Sequence, residues 1–271
     1  MIHRILCPTN FTSVDNNAIT YACHLAKEAG AKLTILHVQK GESILVGDVD
    51  PVHSVDEVES QLREECKKLS SLHRIDCTCE VEPPIQNFNE WVAHRSNFFD
   101  LLVMGSSGAE TVDQVLFGSD AFKIIQKVHV PVMMIPEEFS YKPITRIVYA
   151  YDYKSKKLPP IEQLQAFASL FDTQVCFLTI VKKYSDEVED EMDHLFSAIE
   201  AQWKDSHKLT FDYVYYPDVV ESLNHFYQLW SDNDLMVLSA RHHSFIYESF
   251  QKSVLKEITG MALYPVLVIQ E

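Results

Sequence analysis

This chain nearly repeats itself, and that constrains its fold more than any other feature. Asp100-Leu-Leu-Val-Met-Gly105 is matched by Asp234-Leu-Met-Val-Leu-Ser239, 134 residues further on, and the same offset pairs Ser119 with Ser253, Ile124 with Ile258 and Pro131 with Pro265. Nearer the N-terminus the offset is 142, where Arg4-Ile5 meets Arg146-Ile147 and Leu36 meets Leu178. Such a repeat implies two successive units without any shift in composition. The second is shorter by eight residues, and the loop from Gln39 to Val55, rich in Gly, Asp and Ser, is the expected place of the excess. The join falls in Glu137 to Pro143, a polar segment ending in proline. The expected domains are therefore 1–138 and 144–271, each long enough for one core.

Within the first unit, β-branched and aliphatic runs at Arg4 to Cys7, Lys32 to Val38, Cys77 to Val81, Leu101 to Met104 and Val130 to Ile135 read as buried strands. Segments of helical period lie between them. The first helix places Ala18, Ile19, Ala22, Leu25, Ala26 and Ala29 on one face, opens with Thr12 or Ser13 as N-cap and stops at Gly30. Strands alternating with helices require right-handed crossovers, so the expected class is α/β with parallel sheets covered on both faces.

Composition narrows the partners. Twenty-three Lys and Arg against 39 Asp and Glu give a net charge of −16, and no local basic patch offsets it. Nucleic acid and anionic membrane surfaces are therefore not expected partners. The longest apolar stretches, Leu235 to Leu238 and Pro265 to Ile269, fall far short of the roughly 18 residues that cross a bilayer. The N-terminus meets Pro8 and polar residues before any signal-like apolar run can form, so a cytoplasmic location is expected. The six cysteines, Cys7, Cys23, Cys66, Cys77, Cys79 and Cys176, lack CxxC spacing and read as reduced thiols. Cys77 and Cys79 face one side of a strand. Packing explains them better than zinc, which needs two further ligands.

Of only seven glycines, Gly105, Gly108 and Gly118 cluster between a strand and a helix. Glycines there let a ligand approach the backbone and leave free N–H groups at a helix N-terminus, where anions bind. In an open parallel sheet the ligand crevice lies at the carboxyl ends of the strands, where the Pro8-Thr9-Asn10-Phe11 loop also emerges.

The arrangement Gly105-x2-Gly108-x9-Gly118-Ser119, followed by a helix and Pro131-Val-Met-Met-Ile135, resembles the nucleotide-binding signature of the universal stress protein family. Arg4-Ile-Leu-Cys-Pro-Thr-Asn-Phe-Thr12 and Leu33-Thr-Ile-Leu-His-Val38 are similar to that family's other two hallmarks. The resemblance implies two tandem five-stranded, Rossmann-like domains packed about a pseudo-two-fold axis. It also implies a stress-response regulatory protein that binds ATP, ADP or AMP in its first unit. Thr9 and Asn10, with Pro8 beside them, would meet ribose and adenine, and Val38 would meet adenine through its backbone. Gly105 and Gly108 would meet ribose and phosphates, and Gly118 with Ser119 the phosphates. Two positions depart from the family's pattern. Asn10 replaces the usual aspartate with an amide that still hydrogen-bonds. Asp120 beside Ser119, with Glu110 and Asp113, puts negative charge where phosphate would lie. No Lys or Arg lies between Gly105 and Asp120, so neutralisation would fall to backbone amides and a bound Mg2+.

The second unit lacks the signature. Ser239-Ala-Arg-His-His243 stands opposite Gly105 to Ala109, and Lys252 stands opposite Gly118, so a degenerate site is expected there. Arg241, His242, His243 and Asp152 read as solvated loop residues rather than metal ligands. There is no nucleophile elbow, GxxxxGK[ST] loop or HExxH, so at most a slow, incidental ATPase is expected. The alternative to nucleotide binding is an interaction scaffold of the same fold that works without nucleotide. A related flavoprotein or adenylating enzyme lacks its motifs here. Each unit ends in an apolar strand, Pro131 to Ile135 and Pro265 to Ile269, and two such edges invite an intrachain pseudo-dimer, with a homodimer left open.

Overall fold

A strand buried along its whole length belongs in the interior of a parallel sheet. Arg4–Thr9 (β1) is buried from Ile5 to Thr9 and takes that place. The computed structural model describes residues 2–9, 13–38, 55–82, 87–106, 123–137, 139–151, 158–181, 185–204, 208–215, 234–240 and 264–270. The chain divides into two units, Met1–Tyr141 and Lys142–Glu271.

In the first unit β1 is followed by α1 (Ser13–Ala29), β2 (Lys32–Val38), α2 (Val55–His73), β3 (Cys77–Glu82), α3 (Phe88–Ser96), β4 (Leu101–Ser106) and β5 (Val132–Pro136). All neighbours are parallel, in the order β3-β2-β1-β4-β5. The last strand starts at Val132 rather than at Val130, because Pro131 has no N–H for a ladder and contributes only its carbonyl, which accepts from Leu102 N at 3.0 Å. Gly30 sits at φ +61°, and Ala31 N reaches back to Ala26 O at 2.9 Å, so α1 ends in a left-handed glycine cap.

Moving from β1 to β2 to β3 carries the chain one way along the sheet, so right-handed crossovers put α1 and α2 on one face; the return to β4 puts α3 on the other. The side chains agree. Glu80 on β3 pairs with Arg95 of α3 at 2.5 Å, whereas Cys77 and Cys79, alternating with Glu80, turn to the α2 side.

The second unit runs β6 (Arg146–Tyr151), α4 (Ile161–Leu170), β7 (Gln174–Val181), α5 (Asp186–Glu200), β8 (Leu209–Tyr215), β9 (Asp234–Ala240) and β10 (Val266–Gln270). Its parallel order is β8-β7-β6-β9-β10. The α2 connection of the first unit covers 39–54, outside the described residues, and the matching one before α5 covers only 182–185.

The repeated aspartate has a structural task in both units. Asp100 Oδ2 accepts from His3 N at 2.8 Å and Arg4 N at 2.9 Å, fixing the start of β1. Asp234 is buried and takes the guanidinium of Arg146 at 2.5 Å. The cores differ in kind. Tyr149, Phe177, Trp203, Phe211 and Phe196 form a chain of ring contacts in the second unit, with Phe196 stacked on Phe211 at 4.2 Å. At the positions matching Tyr149 and Phe177 the first unit has Cys7 and Ile35, both fully buried.

Candidate functional site

The strand order places the reversal point of the first sheet between β1 and β4, since the chain leaves β1 in one direction and returns beyond β4 in the other. Ligand crevices form at the carboxyl ends of such a pair. Pairing between β1 and β4 is confined to Ile5 with Leu101 and Leu6 with Leu102, while β1 continues to Thr9 and β4 to Ser106. By contrast β1 remains paired with β2 up to Thr9 and His37. The gap therefore opens on the β4 side. Pro8 fits there, because it has no N–H to give to a neighbouring strand.

Four of the expected site residues end the strands around this gap. Pro8 and Thr9 close β1, Val38 closes β2, and Gly105 is next to last in β4. Thr9 and Val38 are buried, and Thr9 O lies 2.9 Å from His37 Nδ1, which steadies the backbone at the mouth of the gap. Asn10, Gly108, Gly118 and Ser119 lie outside the described residues, as do Asp120, Asp152 and Arg241 to His243.

Two residues at this position escaped the sequence reading. Ser106, directly after Gly105, is buried, and among the described residues its Oγ has no hydrogen-bond partner. A buried hydroxyl without a partner is costly, so such an atom at a crevice points to a missing polar neighbour. Its position beside Gly105 was the available signal. The other is Asn17 on α1, whose Nδ2 donates to Pro136 O at 2.7 Å and Phe139 O at 2.9 Å and ties α1 to the end of β5.

The second unit shows what happens to the same place when the glycine is replaced. Ser239 stands opposite Gly105, and its Oγ hydrogen-bonds the Tyr149 hydroxyl at 2.5 Å. There the β6–β9 pairing runs over four positions, from Arg146 with Asp234 to Tyr149 with Val237. The side chains thus bridge the strand ends that stand apart in the first unit. Burial pushes the Cys7 thiol on β1 well up, keeping it protonated. Among the described residues no group of three or more His, Cys, Asp or Glu is placed to hold a metal ion, and no helix is long and apolar enough to cross a membrane.

Comparison with known proteins agrees with this architecture. Residues 1–136 match the universal stress protein family. Universal stress protein YxiE of Bacillus subtilis (strain 168) is 25% identical over 147 residues, which cover 50% of this chain and 99% of that protein. Among solved structures, a universal stress protein from Archaeoglobus fulgidus DSM 4304 superposes with a TM-score of 0.71 at 16% identity, covering 98% of each chain. A functionally unknown protein from Pseudomonas aeruginosa PAO1 gives a TM-score of 0.61 at 12% identity, covering 99% of this chain and 92% of its own. Those two likenesses establish the fold. With its glycine-bearing β4 end and reversal-point crevice, the chain belongs to the universal stress protein family.

Proposed function

We propose that the first unit binds an adenine nucleotide, one per chain, and that the protein is a regulatory binder rather than an enzyme. The observation that carries this is the parting of β1 and β4 beyond Leu6 and Leu102, with Thr9, Gly105 and the buried Ser106 hydroxyl, which has no partner among the described residues, at its edges. Tyr149 and Ser239 bridge the matching place in the second unit, which supports a single competent site. The spacing of Gly105, Gly108, Gly118 and Ser119 in the sequence supports the phosphate half of the reading, since glycines permit the close backbone approach that a phosphate needs. Ribose and adenine would lie toward Thr9, Asn10 and Val38.

The test is calorimetric titration of the full chain with ATP, ADP and AMP, with and without Mg2+. The expected result is saturable heat at one site per chain, abolished by Gly105→Ser, which copies the second unit. Heat no larger than dilution at millimolar nucleotide overturns the reading. Asp120 beside Ser119 favours a second reading, a nucleotide-independent scaffold. On that reading Gly118→Ala changes neither partner binding nor melting, whereas a nucleotide binder loses its ligand-induced rise in Tm.

A further inference from the structure

Five of the six cysteines lie in the first unit, and the fold gathers them. The register pairs Cys77 with Leu33, Cys79 with Ile35 and Ile35 with Cys7, so Cys7, Cys77 and Cys79 share the sheet face that α1 and α2 cover. Cys23 arrives from α1 and Cys66 from α2. All five are free thiols. Cys66 on α2 sits against both Cys77 and Cys79, and Cys7 and Cys23 lie within electrostatic reach of Cys77.

Packing does not require sulfur here. In the second unit Leu209 pairs with Val175 and Phe211 with Phe177, as Cys77 pairs with Leu33 and Cys79 with Ile35, so the matching layer is filled by leucine and aromatic rings. The thiols also differ in access. Cys7 and Cys23 are fully buried and Cys66 is 3% exposed, whereas Cys77 and Cys79 are half-buried on β3, which among the described strands pairs only with β2. A small solute reaches Cys77 and Cys79 first. Of these two, Cys77 has its pKa lowered by the adjoining Cys66 thiol, which keeps its own proton; burial and Asp76 oppose the shift without reversing it. The turn between the two elements is held by Ser70 Oγ on Ile75 O at 2.5 Å and by Arg74 at φ 57°, which keeps the end of α2 against the start of β3.

We infer that Cys77 is a hydroperoxide-modification site, and that its oxidised form is resolved by Cys66 into a Cys66–Cys77 disulfide. The Cys77 thiolate attacks one peroxide oxygen; the S–O bond forms, the O–O bond breaks, and hydroxide leaves and takes a proton. Cys66 sulfur then attacks the Cys77 sulfenic sulfur. The S–S bond forms, the S–O bond breaks, and the oxygen departs as water with the Cys66 proton. Two thiols lose two electrons, and one hydrogen peroxide becomes two waters.

The experiment treats the full chain with hydrogen peroxide, alkylates the remaining thiols and maps peptides without reduction. Cys66 and Cys77 fall on different tryptic peptides, separated by Lys67 and Arg74, while Cys77 and Cys79 share one. The expected product is the Cys66–Cys77 crosslink, formed before any other thiol is consumed and reversed by dithiothreitol. Cys66→Ser replaces the crosslink by a Cys77 sulfenic acid that dimedone traps, and Cys79→Ser leaves the crosslink intact. Loss of the crosslink in Cys79→Ser, first oxidation at another thiol, or oxidation no faster than in urea-unfolded chain overturns the inference. The wild-type and Cys79→Ser maps decide it even where Cys66→Ser folds poorly.

Discussion

Replacing Arg146 by methionine isolates the energetics of the second unit's strand start. The Asp234 side chain is 2% exposed and its guanidinium partner 25% exposed, at 2.5 Å, so the pair is buried on the acid's side and partly wetted on the base's. Removing one member of a buried pair costs about 3–5 kcal/mol, because the remaining charge has lost its counterion. Water reaching the Arg146 side places the expected loss near the lower end, about 3 kcal/mol. For a unit of this size that is a drop of roughly 10 °C in Tm. Methionine keeps the aliphatic stem packed, so the loss reports charge rather than volume. Urea denaturation followed by circular dichroism measures it, and the double variant Arg146→Met with Asp234→Leu loses less than the sum of the two single variants, because the ion pair couples the two sites. A single-variant loss under about 1 kcal/mol, or strict additivity in the double variant, refutes the claim that a buried charge pair holds β6 to β9.

Two further outcomes follow from the first unit. Gly30→Ala destabilises by about 1 kcal/mol through its positive φ alone, because an added Cβ meets nothing within 4 Å; thermal melting checks this, and an unchanged Tm contradicts it. His24, stacked on Tyr141 at 4.1 Å, has its pKa lowered by burial and by His73, against a smaller opposing pull from Glu28. The folded form therefore binds its proton less readily than the unfolded chain. Stability from this residue is complete above the ordinary histidine value of about 6.5 and falls as pH drops below it. His24→Phe flattens the Tm-against-pH curve between about pH 7.5 and 5.5, and an identical slope in both proteins contradicts the assignment.

Strands β1, β2, β4 and β5 were legible because parallel strands buried on both faces appear as largely apolar runs, and α1 because Gly30 announces its end; β3, half-buried at all six positions and carrying Glu80 and Glu82, is not the buried strand that was expected at Cys77 to Val81. What remained hidden depends on neighbours distant in the chain. Asp100 and Asp234 occupy one repeat position, but that Asp100 takes the amides of His3 and Arg4, and that Asp234 takes the Arg146 guanidinium, depends on partners about ninety residues away in the chain. The sequence placed Cys77 and Cys79 on one face but gave no reason to join Cys66 to them, since only the packing of α2 on β3 brings it there. Ser106 carries no motif of its own. Its significance comes from being buried beside Gly105 without a partner among the described residues.

The central position of β1 has a consequence for synthesis. Its first neighbour, β2, follows within about thirty residues, but Ile5 pairs with Leu101 on the other side. At roughly 5–20 residues per second, the ribosome delivers that second partner about 5–20 s after Ile5. For that interval the nascent chain carries a strand with one edge satisfied and one bare, and the α1 tie to Phe139 comes later still. Most of the wait belongs to translation rather than to the search for contacts, so a slower ribosome prolongs the time in which that bare edge is open to other nascent chains.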